Sequence, residues 1–180
     1  MLVKRAFQGK IDLMKPAMSV ADELMSIPSF DIPDYSELFA QEKEIIGNLK
    51  KTFFMVAGAA LQKFGAELEQ HQQLILKAAA IMIEIYMAES TILRAEKIAK
   101  NNSEEFASIP IKMAKLQLFQ SVEVIKNKAT EGIISFTEGD EQRMMLSGLR
   151  RFTRYNEYPN IVQLKSDIAE HLIKENKYSF

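Results

Sequence analysis

The stretch SIPIKMAKLQLFQSVEVIKNKATEGIISF, residues 108–136, decides the fold. Ile111, Ala114, Leu118, Val122, Ile125, Ala129 and Ile133 recur at three- and four-residue steps, and lysine, glutamine and glutamate fill half the positions between them. That period places one continuous apolar stripe on a helix. Ser108 is positioned to cap the helix, with Pro110 in its first turn. The pattern predicts a helix to about Phe136, with Leu118, Val122 and Ile125 facing a core.

Similar patterns lie on both sides. Upstream, a helix is predicted from about Ser36 to Phe64, capped by Asp34 or Ser36. Its stripe is Ile46, Leu49, Phe53, Ala57, Ala60 and Phe64, and Gly65 breaks it. The next helix runs from about Glu67 to Ala99 and ends at Asn101 and Asn102. It is nearly apolar from Leu74 to Ala88. An apolar surface wider than one stripe marks a central helix touched on several sides, or one that keeps part of its surface for self-association. Downstream, Gly139 and Asp140 open a shorter helix through Met144, Met145, Leu149 and Phe152. Pro159 and Asn160 open the last one, with Ile161, Leu164, Ile168 and Leu172 inward. Asn160 and Gln163 stand at capping-box spacing.

Three helices of about 30 residues each span roughly 45 Å, and the two short ones end to end make a rod of similar length. Short connections make sequential helices antiparallel neighbours. The reading is an all-α, up-down four-helix bundle whose fourth helix is broken near Tyr155–Pro159. An extra amphipathic helix, Lys10–Ser26, precedes it, and Pro16 either begins or kinks that helix. The proline-rich connector SIPSFDIPDYSE, residues 26–37, separates the two. Residues 1–33 thus form a helix and connector, and residues 34–180 a bundle domain.

Composition agrees. Apolar residues make up 47% and charged residues 26%, with 7 glycines and 5 prolines. That is globular and poor in turns. With no cysteine, disulfides, thiolate zinc sites, iron–sulfur clusters and cysteine nucleophiles are excluded. A net charge of −1 gives no support for a nucleic-acid partner. No apolar run is long enough to span a bilayer. MLVKRAFQGKIDLM, residues 1–14, lacks the apolar core and cleavage site of a secretion signal. The location expected is the bacterial cytoplasm.

Few residues suggest chemistry. His71 and His171 each follow a carboxylate by four residues, Glu67 and Asp167, which suits two surface ion pairs better than a metal site. RMMLSGLRRFTRY, residues 143–155, sets Arg143, Arg150 and Arg154 near one helical face. A solvated face is the default, with a docking stripe for acidic residues, a phosphate-bearing cofactor or a nucleic-acid surface as the alternatives, the last disfavoured by the whole-chain charge. Gly58 and Gly65 match no phosphate loop and read as close helix packing followed by a turn. The methionines and phenylalanines fall on apolar stripes as core fillers. No catalytic, cofactor-binding or metal-ligating residue is assigned.

MLVKRAFQGKIDLM, together with LQKFGAELEQHQQLILKAAAIMIEIYMAESTILRAEKIAK at residues 61–100, resembles the C-terminal region of very-long-chain-type acyl-CoA dehydrogenases. The likeness rests on helix lengths, the turn at Lys63–Gly65, the Ile85–Tyr86 pair and the aromatic C-terminus, and it covers nearly the whole chain. It implies an accessory domain of an FAD-dependent enzyme that forms a double bond α,β to a fatty acyl thioester in β-oxidation. By this resemblance the catalytic body, with its glutamate base and flavin site, lies upstream of Met1, and the chain is a fragment. Its partners are then that body and, since the body dimerises, further copies of itself. The second reading is a free-standing helical interaction protein without enzymatic activity.

In mitochondrial relatives the connector region is associated with the inner membrane. Here the polar face of Lys10–Ser26 carries Asp12, Lys15, Asp22 and Glu23, whereas a membrane-surface helix is rich in lysine and arginine. Leu13, Ala17, Ala21 and Leu24 are therefore expected to dock on protein, and membrane association is not expected.

Overall fold

The computed structural model describes residues 12–26 and 34–176. Among them are six α-helices and no strand: α1 (Met14–Met25), α2 (Ala40–Phe64), α3 (Gln72–Asn101), α4 (Glu104–Phe136), α5 (Gly139–Phe152) and α6 (Ile161–Glu175). A 3-10 turn, Gly65–Gln70, joins α2 to α3. Helices α2, α3 and α4 with the α5–α6 pair form the four-helix bundle with its broken fourth rod. Helix α1 lies outside it against α2. Lys10 and most of the connector fall outside the described residues.

Helix α4 is the hub, packing against α2, α3, α5 and α6. Leu118, Ile125, Ala129 and Ile133 are fully buried, and Val122 nearly so. Helix α3, expected to be central, packs on α2, the 3-10 turn and α4, and leaves its outer face bare. An apolar circumference does not say which of its sides is covered. The buried Ser121 hydroxyl of α4 donates to Glu84 of α3 at 2.7 Å and accepts from the Gln117 amide at 3.1 Å. Its polar atom is thus satisfied inside the core.

Local chemistry sets the boundaries, in three places differently from the expectation. Helix α4 begins at Glu104, not Ser108. Ser103 caps it by accepting from the Phe106 amide, and Glu104 and Glu105 complement the helix dipole. Pro110 therefore lies inside the helix, where it removes one hydrogen bond to the Phe106 carbonyl. Phe106 is exposed, so water can serve that carbonyl. Helix α2 begins at Ala40, not Ser36. Asp34 accepts from the Ser36 amide at 2.9 Å in a turn of its own, and Phe39 then enters with φ +63°. That conformation costs a non-glycine residue ~1–2 kcal/mol, which burial of the Phe39 ring, worth roughly 1.5–3 kcal/mol, offsets. At the other end of α2, Gly65 has φ +51°, and a 3-10 turn rather than an α-helix follows. Glu67 and His71 therefore do not share an α-helical face, and the His71 ring stacks on Phe64 with centroids 3.8 Å apart.

The break in the fourth rod is built. Gln41 of α2 accepts from the backbone amides of Asn156 and Glu157, at 3.1 and 2.7 Å, and donates to the Glu157 carbonyl at 2.9 Å. Tyr155 is buried there, its ring between those of Phe119 and Tyr158. Asn160 then caps α6 by accepting from the Gln163 amide at 3.1 Å. The Gln163 side chain does not return the bond; it donates to Asp167.

Ion pairs sit at the seams. Lys43–Glu96 (2.9 Å) and Lys50–Glu89 (2.6 Å) join α2 to α3, Lys77–Glu131 joins α3 to α4, and Lys112–Asp167 (2.7 Å) joins α4 to α6. Exposed pairs contribute little each; they fix how the helices align. Hydrogen bonds from Lys43 and Lys100 hold the Glu96 carboxyl below its ordinary pKa of 4.5. Lys77 does the same for Glu131, and Lys112 holds Asp167 below its ordinary 3.8.

Two outcomes follow. Leu118→Ala should cost roughly 2–5 kcal/mol in urea unfolding; an unchanged midpoint would contradict the placement of α4. The three depressed carboxyls bind protons less readily folded than unfolded. Their contribution is full above the ordinary values and is lost as pH falls through the lowered ones. Urea midpoints should hold from about pH 7 to 5 and decline below about 4.5; Lys43→Met and Lys112→Met should flatten that decline.

Candidate docking surface

Helix α1 reaches the bundle through two glycines. A Cβ on Gly58 of α2 would lie 2.3 Å from the Ala17 Cβ, and one on Gly148 of α5 would lie 2.6 Å from a Leu24 methyl. At Gly58 only a hydrogen fits, and at Gly148 the Leu24 side chain would have to shift. Leu13 and Leu24 are partly buried against the core, and Val20, between them on the helix, is buried. Ala21 is exposed, as are Met14, Met18 and Met25. The inward face of α1 is thus centred on Val20, turned from the Leu13, Ala17, Ala21 and Leu24 face read from the sequence.

The turn has an electrostatic cause. Glu23, assigned from sequence to the solvent face, points inward and accepts from Lys51 of α2 at 2.8 Å, with Arg151 of α5 3.6 Å away. The Arg151 guanidinium also donates to the Glu23 carbonyl at 3.4 Å. Both cations lie over the Phe152 ring, 5.7 and 6.0 Å from its centroid. Glu23 was missed because it was sorted to the polar face, and Val20, although at the spacing of Ala17 and Leu24, was left out of the apolar face. The signal was there: Glu23 and Val20 are three residues apart, hence on one side of the helix.

The exposed methionines border an open recess of about 330 Å³ between α1, α2 and α5, where Met55, Met144 and Met145 also lie. Arg143 and Arg150 are exposed on the outer side of α5 and Arg154 is exposed just past its end, with Arg143 paired with Asp140 at 3.0 Å. The structure brings Leu13, Ala17 and Leu24 together against the bundle, and leaves Ala21 and the three arginines facing outward.

Other recesses do not suit a flavin. A cavity of about 100 Å³ between α2, α3 and the 3-10 turn is lined only by apolar side chains, too few polar groups and too little room for an isoalloxazine. A wider recess of about 720 Å³ lies between the end of α2, the start of α3 and the end of α4. Its one lysine, Lys63, is committed to the Phe136 carbonyl. Gly65 and Gly139, which have positive φ, have nothing within 4 Å of a built Cβ and form no phosphate cradle. Among the described residues no three histidines or carboxylates converge as a metal site, and no helix is long and apolar enough to cross a membrane.

The family model described as "Acyl-CoA dehydrogenase, C-terminal domain" matches residues 48–151, from α2 to the end of α5. A "Probable acyl-CoA dehydrogenase" of Bacillus subtilis (strain 168) is 32% identical over 98% of this chain, which spans 29% of that relative. The crystal structure of an acyl-CoA dehydrogenase complexed with FAD from Bacillus anthracis superposes with a TM-score of 0.90 at 31% identity. It covers 99% of this chain, which spans 30% of that one. The chain belongs to the acyl-CoA dehydrogenase C-terminal domain family.

The close approach of α1 gives a test. Gly→Ala inside a helix normally gains ~1 kcal/mol. Gly58→Ala should instead destabilise the chain, because two Cβ atoms cannot share the Ala17 contact. Adding Ala17→Gly should recover most of that loss, giving a coupling of about 1 kcal/mol or more in a double-mutant cycle. A stabilising Gly58→Ala would show that α1 does not sit here.

Proposed function

We propose that this chain is the C-terminal accessory domain of an FAD-dependent acyl-CoA dehydrogenase of the very-long-chain type, acting in fatty-acid β-oxidation in the bacterial cytoplasm. The observation that carries this reading is the correspondence of nearly the whole chain to 30% of a flavin-bearing relative. In this reading the flavin, the acyl thioester and the catalytic base belong to the remainder of the same polypeptide.

The domain's task is docking. The methionine ridge of α1 (Met14, Met18 and Met25, with Ala21) and the exposed Arg143 and Arg150 of α5, with Arg154 just beyond its end, meet the catalytic body. Methionines suit such a surface because an unbranched thioether adapts to an irregular neighbour, and the arginines select acidic residues on it.

The purified chain should be colourless and should not dehydrogenate any acyl-CoA thioester in the presence of an electron acceptor. Joined to a dehydrogenase body, amides of α1 and α5 should exchange more slowly than in the chain alone. Stoichiometric flavin in the chain alone would refute the division of labour. Equal exchange in both forms would refute the docking surface.

A further inference from the structure

The seam between α2 and α3 is tied by charge at one end and hollow at the other. Lys43–Glu96 and Lys50–Glu89 join the two helices where α2 begins and α3 ends. Toward the 3-10 turn, Ala57 and Ala60 of α2 and Ala78 and Ala79 of α3 line the same cavity of about 100 Å³. Close packing sets large side chains against small ones. Here small meets small, and the space between them is left open. The inner end is closed by Val56, Leu61, Leu68 and Leu74, all buried, as is Ala60. The outer rim, which includes Leu13 ahead of α1, Phe53 of α2 and Met82 of α3, is half-buried. The cavity is thus blind at one end and reaches solvent at the other.

We propose that this cavity binds the free end of an unbranched alkyl chain, with the rest of that molecule left outside the rim. Every side chain that lines it is made of carbon and hydrogen, save the Met82 sulfur. Water is a poor occupant, because a buried water needs two to four polar partners. An apolar cavity of about 150 Å³ stays dry and admits benzene. This one is smaller and open on one side, which suits a chain one carbon wide better than a ring. At roughly 30 Å³ for a water-sized group it holds about three or four carbons. A charged or hydroxylated head would lose its hydrogen bonds inside, so the head stays at the rim and the methyl end enters first. Leu13 borders the entrance, and α1 is placed there by the approach of Ala17 to Gly58. Helix α1 therefore shapes the mouth of the site as well as covering the bundle. This inference stands whether or not the flavoenzyme reading does.

Titration of the full chain with a series of straight-chain 1-alkanols, followed by the methyl NMR signals of Leu68, Ala79 and Met82, tests it. The shifts should saturate. Affinity should rise roughly fourfold per added methylene over the first few members, then level off by 1-octanol, whose further carbons lie outside. Ala78→Leu fills the space and should abolish the saturable shift while the melting temperature holds or rises. If that variant fails to fold, Ala57→Leu fills the opposite wall and decides. Leu68→Ala deepens the blind end and should move the plateau to longer chains. Shifts that do not saturate overturn the proposal. So does benzene binding more tightly than 1-hexanol, or tert-butanol binding as tightly as 1-butanol. A folded, cavity-filled variant that still binds overturns it too.

Discussion

Every other helix of the bundle is positioned by the burial of α4 on several sides at once. A single stripe of Ala114, Leu118, Val122, Ile125, Ala129 and Ile133 would satisfy one neighbour. Widening it with Ser121 and Gly132, both buried, lets α4 serve four. Small residues at 114, 129 and 132 admit close neighbours, and the branched residues between them fill the space. The Ser121 hydroxyl, carried by α4 into this interior, is matched by Glu84. That bond therefore aligns α3 against α4 where apolar contacts alone would permit sliding.

Helix α1 is attached by a different balance. Its contact area is small, and it depends on closeness rather than extent: Ala17 against Gly58, and Leu24 against Gly148. Closeness alone leaves the rotation of a short helix weakly defined. Glu23 supplies the definition by taking Lys51 and Arg151 together over the Phe152 ring. The same rotation turns the methionines outward. The outward ridge and the inward clamp are thus one choice, made by where a carboxylate finds two cations.

Much of this was legible in the sequence. The helical class, the three long helices, the Gly65 break and the interrupted fourth rod all follow from periodicity and punctuation, which local physics controls. The start of α4 was misread because Pro110 is a strong signal for a first turn, yet Ser103 with two glutamates makes a better start. The start of α2 depends on the burial of Phe39, a tertiary gain invisible to a local rule. Helix α3 looked central because an apolar surface records that something covers it, not what. Glu23 escaped because a helix face was sorted by polarity, while the contact uses a carboxylate beside aliphatic side chains; Val20, in register with Ala17 and Leu24, was passed over. Spacing grouped Arg143, Arg150 and Arg154, but the helix ends at Phe152, short of Arg154, and spacing does not reveal that Arg151, outside that group, is the one engaged with α1.

The Gln41 clamp has a consequence for how the domain opens. By gripping the backbone at Asn156 and Glu157 it separates the fourth rod into two levers. Helix α5 is tied into α2 and α4, whereas α6 rests chiefly on α4 and buries only Ile168 completely enough to count as core. A helix so lightly held detaches at a free energy well below that of global unfolding. The clamp stops that detachment from spreading, because the chain on its near side stays pinned to α2. Helix α6 is thus a cooperative unit of its own, able to swing away and return while the rest of the bundle keeps its packing.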